Sequence, residues 1–197
     1  MGHYCVNCGT ELVKRVIEGR EVEACPNDAF VLWHDPKVTT AVVVELEGGI
    51  VFGRRAIEPG YGLWCLPGGF VNDDEEPAIA AARECLEEIC AAVEMTGLIG
   101  VYHISKRDAP SMIGIAYRAR LVDGGVPSPG AEMLEVRVFP IGSAPPLAFP
   151  SHQSVLAEFL KSRAIPGVME PPNAAAMALR VAPPSQERAR PRPRRKP

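Results

Sequence analysis

With 197 residues, 47% of them hydrophobic, the chain holds enough apolar material for one well-filled core and a small appendage. No apolar run approaches the 18 or so residues of a membrane span, so composition predicts a soluble, cytoplasmic protein with no membrane association. The formal net charge of −3 is unevenly spread: six Arg and one Lys against two Glu between Glu170 and Pro197 give that stretch +5 and leave −8 for the residues before it.

The first element in chain order is a cysteine frame. Cys5-Val-Asn-Cys8 is followed, after sixteen residues, by Cys25-Pro-Asn-Asp28, which matches a C-x2-C…C-x2-C ribbon in every ligand but the last. Tetrahedral Zn²⁺ accepts carboxylate oxygen as well as thiolate, so Cys5, Cys8, Cys25 and Asp28 are read as a structural zinc site in a small module of residues 1–35. Three thiols in a short segment with little core of its own need a staple. A ribbon without metal, or one in which His3 substitutes, remains open. A disulfide is less favoured in a chain with no secretory signal.

Strand-like runs follow at Thr39 to Leu46 and Ile50 to Arg54, with Gly48-Gly49 between them as a hairpin turn. Trp64 is read as core, and Tyr61 and Tyr102 as nucleobase contacts. Leu66-Pro67-Gly68-Gly69 is a turn whose glycines permit backbone geometry closed to other residues and leave carbonyls free to face a cation. Pro77 suits the first turn of a helix, and the alanines, leucine and glutamates after it are good helix formers, so residues 77–89 are read as helical. On that helix Ala78, Ile79, Ala82, Cys85, Leu86 and Ile89 fall on one side, while Glu84, Glu87 and Glu88 fall nearly opposite. Alone, such acids would be a solvated face. Their company argues otherwise: Arg83 immediately precedes them, and Glu75 is placed to orient it by a bidentate pair. Clustered oxygen ligands on a rigid helix beside a glycine turn are what Mg²⁺ or Mn²⁺ needs next to a phosphate.

Further strand-like runs at Thr96 to Ile104, Met112 to Val122 and Leu134 to Phe139 lead to a helical pattern from Ser151 to about Lys161. Strands on either side of one helix, with another helix at the end, predict an α/β fold: an α/β/α sandwich around a mixed sheet over residues 36–165. His34, His103 and His152 have no ligand spacing and are read as ordinary residues. Residues 166–197, rich in proline and arginine, read as a disordered basic tail. The favoured reading is a solubilising extension, with nucleic acid a less favoured partner.

Gly69, Glu75, Arg83, Glu84, Cys85, Glu87 and Glu88 occupy the places of G-x5-E-x7-R-E-U-x-E-E-x-G-U, where U is aliphatic. The segment thus resembles the signature of the Nudix hydrolases, and with the N-terminal ribbon it is similar to the group of NADH, ADP-ribose and FAD pyrophosphatases. Two positions depart from the pattern, Cys85 at an aliphatic place and Cys90 at the glycine. The resemblance implies hydrolysis of a nucleoside diphosphate linked to a further group, with Mg²⁺ or Mn²⁺ held by Glu84, Glu87, Glu88 and the Gly68 carbonyl. Glu75 and Arg83 become organisers of the catalytic set, and Glu132, or alternatively Glu135, becomes a candidate base. The NADH-type S-Q-P-W-P-F-P-x-S is absent between Glu94 and Pro110, whereas Leu147-Ala148-Phe149-Pro150-Ser151 looks like a segment of ADP-ribose and FAD hydrolases. The expected substrate is therefore ADP-ribose or a dinucleotide cofactor such as FAD or NADH, and relatives suggest a homodimer. The alternative is a catalytically degenerate Nudix fold that binds such a nucleotide and regulates, using ribbon and tail as partner contacts.

Overall fold

The computed structural model describes residues 2–106, 109–122 and 124–164; the basic tail expected over 166–197 lies outside them. The chain opens with a three-stranded antiparallel sheet of β1 (Val13–Ile17), β2 (Arg20–Ala24) and β3 (Val31–Leu32). Its core is small: Cys5, Leu12 and Cys25 are buried, with Phe30 and Leu32 packed against them. Apolar burial on this scale does not stabilise a fold by itself.

The remaining strands, β4 (Lys37–Leu46), β5 (Gly49–Arg55), β6 (Trp64–Cys65), β7 (Val93–Lys106), β8 (Ala109–Leu121) and β9 (Met133–Pro140), form a six-stranded sheet ordered β6-β5-β4-β8-β7, with β9 also paired to β5. The β4–β8 ladder is parallel, from Lys37 opposite Met112 to Glu45 opposite Arg120, and the other ladders are antiparallel, so the sheet is mixed. The continuous run Ala41-Val-Val-Val44 is buried because helices cover both faces, as an unbroken apolar strand requires. Helix α1 (Pro77–Ile89) packs Ala81, Cys85 and Ile89 against Val42, Val44 and Val51. Helix α2 (Pro150–Ala164) packs Val155, Leu156 and Phe159 against Ala41, Val43 and Phe52 on the opposite face. This is the α/β/α sandwich expected. No helix among the described residues is long and apolar enough to cross a membrane.

Helix α1 corrects the sequence reading of its faces. Leu86, expected in the core, is 45% exposed, and Glu88, expected on the outer face, is only 5% exposed. The stripe is turned because the helix borders a polar cleft as well as the sheet, and Glu88 takes the position facing the glycine turn. β7 and β8 also run further than their apolar patterns indicate, since their ends gain backbone pairing with each other. β6 has two residues and carries no periodicity to read.

The helix ends at Cys90, which adopts the left-handed conformation (φ 49°, ψ 33°). A β-carbon disfavours that geometry, and Cys90 is exposed, so its thiol gains little burial to offset it. Cys90→Gly is therefore expected to stabilise the protein by about 0.5–1 kcal/mol, read as a rise in the urea midpoint at constant slope.

Candidate functional site

The turn between β6 and α1 runs back along β4. Thr40 N–H donates to the Gly69 carbonyl at 2.7 Å, Val42 N–H to Pro67 at 2.8 Å, and Thr39 Oγ1 also to Gly69 at 2.9 Å. Those bonds engage the carbonyls on either side of Gly68 and hold the turn flat on the strand. Gly68 sits at φ 148°, and a β-carbon there would collide with the Thr40 carbonyl. One at Gly69 would strike the Glu84 carboxyl, so that side chain lies directly against the turn.

Arg83 is the hub beneath. Its Nε and Nη2 donate to the two oxygens of Glu75 at 3.1 and 2.7 Å, its Nη1 to Glu84 at 2.8 Å and Glu87 at 3.2 Å, and its Nη2 also to the Phe70 carbonyl at 3.0 Å. Glu75, which also accepts the Asn72 N–H, is held below the usual carboxylate range chiefly by Arg83. Glu84 and Glu88 move the other way. Burial pushes both up, Glu88 to about 8, although the Gly68 N–H donates to Glu88 at 2.9 Å. Partly desolvated carboxylates this close to one another, in excess over the guanidinium among them, suit a hard divalent cation. Glu84, Glu87 and Glu88 lie about Arg83 and the Gly68 turn, and their oxygens are of the kind that Mg²⁺ or Mn²⁺ takes.

These residues form one wall of a cleft of about 1040 Å³. Glu132 lines it too, close enough to Glu84 and Glu88 to raise both. Glu135 does not: it pairs with Arg137 and Arg54 on β9. The Glu132 segment is tied to α1, since Ser128 N–H donates to the Ile89 carbonyl and Gly130 N–H to Glu88, each at 2.9 Å. A β-carbon at Gly130 would overlap the Glu87 carbonyl. Arg55, Phe149, Pro150, Ser151 and His152 also line the cleft, as do Tyr102, Ile104 and Met112. The Leu147–Ser151 segment thus does two things at once. It pairs with Trp64 through the Ala148 N–H and leads into α2, and its last residues face the cleft. Tyr61 is exposed and is not part of the lining, and Trp64 packs edge-on to Phe139 at 4.9 Å.

Sequence reasoning missed Arg55 and His152. The signal for Arg55 was available: strand alternation from Val51 places residue 55 on an inward side, where a charge is unusual. His152 had no local signal, because its partner, the Leu66 N–H at 3.1 Å, lies 86 residues away.

At the N-terminus, one ligand atom from each of Cys5, Cys8, Cys25 and Asp28 lies within 4.8 Å of every other. Cys8 and Cys25 sulfurs are 3.6 Å apart, and the Cys5 sulfur is 3.3 Å from Asp28 Oδ2. A tetrahedron with zinc–sulfur bonds of about 2.3 Å has edges of roughly 3.5–3.8 Å, so the set fits that ion. The Phe30 N–H, 2.8 Å from Asp28, holds that carboxyl low and thus ionised. His3 is engaged elsewhere, with Glu23 at 2.7 Å. All six cysteines are free.

The family model of the NUDIX domain matches residues 35–159. An ADP-ribose pyrophosphatase of Methanocaldococcus jannaschii is 27% identical over 154 residues, 78% of this chain and 87% of that protein. The crystal structure of a NUDIX hydrolase from Nitrosomonas europaea superposes with a TM-score of 0.72 at 34% identity, covering 82% of this chain and 92% of the other. The NUDIX domain of Shewanella oneidensis NrtR, solved with ADP ribose, shares the fold at 21% identity and a TM-score of 0.55, covering 68% of this chain and 91% of that one.

Proposed function

The chain belongs to the NUDIX hydrolase family, and from that premise we propose that it is a Mg²⁺- or Mn²⁺-dependent pyrophosphatase that cleaves a nucleoside diphosphate derivative, ADP-ribose or a dinucleotide cofactor such as FAD or NADH. The observation that carries the reading is that Glu84, Glu87, Glu88 and the Gly68 turn all line one cleft of about 1040 Å³. The ADP-ribose preference is supported by the pyrophosphatase relative and by Phe149, Pro150 and Ser151 on the cleft wall.

A divalent cation held by Glu84, Glu87, Glu88 and the Gly68 carbonyl would activate water as a nucleophile and neutralise charge on the diphosphate. Arg83, fixed by the Glu75 fork, positions Glu84 and Glu87. Glu132, on the cleft rim, takes the proton of the attacking water. The test is a panel of ADP-ribose, NADH, FAD, diadenosine polyphosphates and nucleoside triphosphates incubated with Mg²⁺ or Mn²⁺. Selective release of a nucleoside monophosphate from one class names the substrate; no turnover on any member would sink the hydrolase reading.

Residues 1–35 are read as a separate zinc-stapled module ahead of a hydrolase domain of residues 36–165. Purified protein is expected to carry about one equivalent of structural zinc. Asp28→Ala should lower that content, and a zinc-selective chelator should open the β1–β3 sheet to proteolysis while the six-stranded sheet stays protected. Elemental analysis and limited digestion check both; zinc-free protein with a protected N-terminus would refute the staple.

A further inference from the structure

The two ends of the N-terminal module meet at one carboxylate. Glu23 lies on β2, in register with Lys14 on one neighbour and Leu32 on the other. His3 stands ahead of β1, where its carbonyl accepts the Leu12 N–H at 2.8 Å, and His34 follows two residues after the end of β3. His3 Nδ1 is 2.7 Å from Glu23 Oε2, and His34 Nε2 is 4.0 Å from the same oxygen. The rings stand edge to face with their centres 6.3 Å apart. Strand pairing, and no spacing along the chain, gathers residues 3, 23 and 34.

Among the described residues these imidazoles are the ion-pair partners of Glu23. Lys14, which feels the Glu23 charge, is bonded to Glu21 instead at 2.7 Å. Glu23 is the more sheltered of the three, its side chain 29% exposed against 56% for His3 and 62% for His34, so the rings are free to turn toward it. A neutral imidazole offers a lone pair on one nitrogen, and two imidazoles with one carboxylate are a donor set that holds zinc with water as the fourth ligand. Metal–nitrogen bonds of about 2.0–2.1 Å at a tetrahedral angle would put the ring centres roughly 5 Å apart, so the exposed rings close by about 1 Å on binding. Imidazole suits borderline cations, whereas Mg²⁺ takes oxygen.

We propose that His3, Glu23 and His34 form a second metal site, separate from the four-ligand cysteine set, which takes a borderline divalent cation such as Zn²⁺, Co²⁺ or Ni²⁺ with water completing its shell. Ligands that lie on the surface and shift to bind hold the ion more weakly than the thiolates do, so the site fills second. An ion here joins the residue ahead of the first thiol to the residue just before Asp35-Pro36-Lys37. It thus clasps the module's start to its exit, closing the chain between them into a loop.

The experiment is a calorimetric titration of the full chain, free of any histidine tag, with Ni²⁺. The protein is first loaded with zinc at the thiols, counted by elemental analysis, and saturating Mg²⁺ occupies the helix glutamates. Wild type is expected to take one further equivalent in the micromolar range, with the ring resonances of His3 and His34 shifting together in nitrogen-edited NMR. His34→Ala should weaken that binding at least about tenfold and Glu23→Gln by a factor of several, with zinc content unchanged. His103→Ala, an exposed histidine elsewhere, should leave it as it was. His34→Ala and Glu23→Gln decide the matter if His3→Ala disturbs zinc at Cys5. A wild type that takes no ion beyond the thiol site at millimolar Ni²⁺, or binding equal in wild type, His34→Ala and Glu23→Gln, would overturn the proposal and leave the three residues a surface ion pair.

Discussion

Glu87→Gln is expected to lower kcat by on the order of 10³-fold while leaving the melting temperature within a degree or two. The two halves of that expectation come from different facts. Structurally Glu87 does little: its side chain is 58% exposed and its one ion pair among the described residues is with Arg83 at 3.2 Å, a surface contact worth about 0–1 kcal/mol. Arg83 keeps Glu75 and Glu84 when Glu87 is neutralised. Chemically Glu87 matters far more, since it is one of three carboxylates proposed to hold the cation. Losing one weakens charge stabilisation in the transition state by several kcal/mol, and each 1.36 kcal/mol is tenfold in rate. Initial rates at saturating cation, with a thermal melt of the same preparation, check both halves. A kcat within tenfold of wild type would remove Glu87 from the ligand set.

Glu88→Gln should behave differently, because Glu88 is buried. Without added cation the folded protein holds the Glu88 proton up to about pH 8, against 4.5 for the free side chain. Between those values the folded state binds more protons than the unfolded one, so Glu88 costs stability progressively as pH rises through this window. Glutamine removes that slope and still offers an oxygen to the Gly68 N–H. At pH 8.5 the cation-free variant is therefore expected to be more stable than wild type by several kcal/mol, at most about 5, and equally stable near pH 4. Added Mg²⁺ should reverse the order, since the cation replaces the proton on Glu88 and binds wild type preferentially, with affinity rising roughly tenfold per pH unit up to about 8. Urea titrations at both pH values, with and without Mg²⁺, read the four corners. A cation-free variant less stable than wild type at pH 8.5 would contradict this.

What the chain reveals before folding is what depends on near neighbours. Pro77 and the run of strong helix formers set α1 at Pro77–Ile89 without tertiary help, and the apolar runs locate the central strands to within a few residues. The carboxylate spacing is equally local. The rotation of α1 is not, because Leu86 and Glu88 are sorted by what lies across from the helix. Burying Glu88 is unfavourable in isolation, and the periodicity that points Leu86 inward knows nothing of the Gly68 turn. Arg55 and His152 are harder still, since their roles arise where the end of β5 meets the start of α2, about 95 residues later. The two-residue strands β3 and β6 exist only as pairing partners.

The bonds from Ser128 and Gly130 to the last carbonyls of α1 bear on how the protein could be rebuilt. They splice the connection between β8 and β9 onto the helix, so that Glu132 and the helix glutamates Glu84, Glu87 and Glu88 form a single graftable cassette. Residues 124–127, ahead of the splice, are free of that constraint, and a linker or sensor peptide inserted there would add loop without displacing the cassette. The same insertion between Gly130 and Glu132 would uncouple them. An engineer would also have to keep the end of β5, whose Ala56 N–H donates to the Glu132 carbonyl at 2.8 Å and ties the same segment from the other strand.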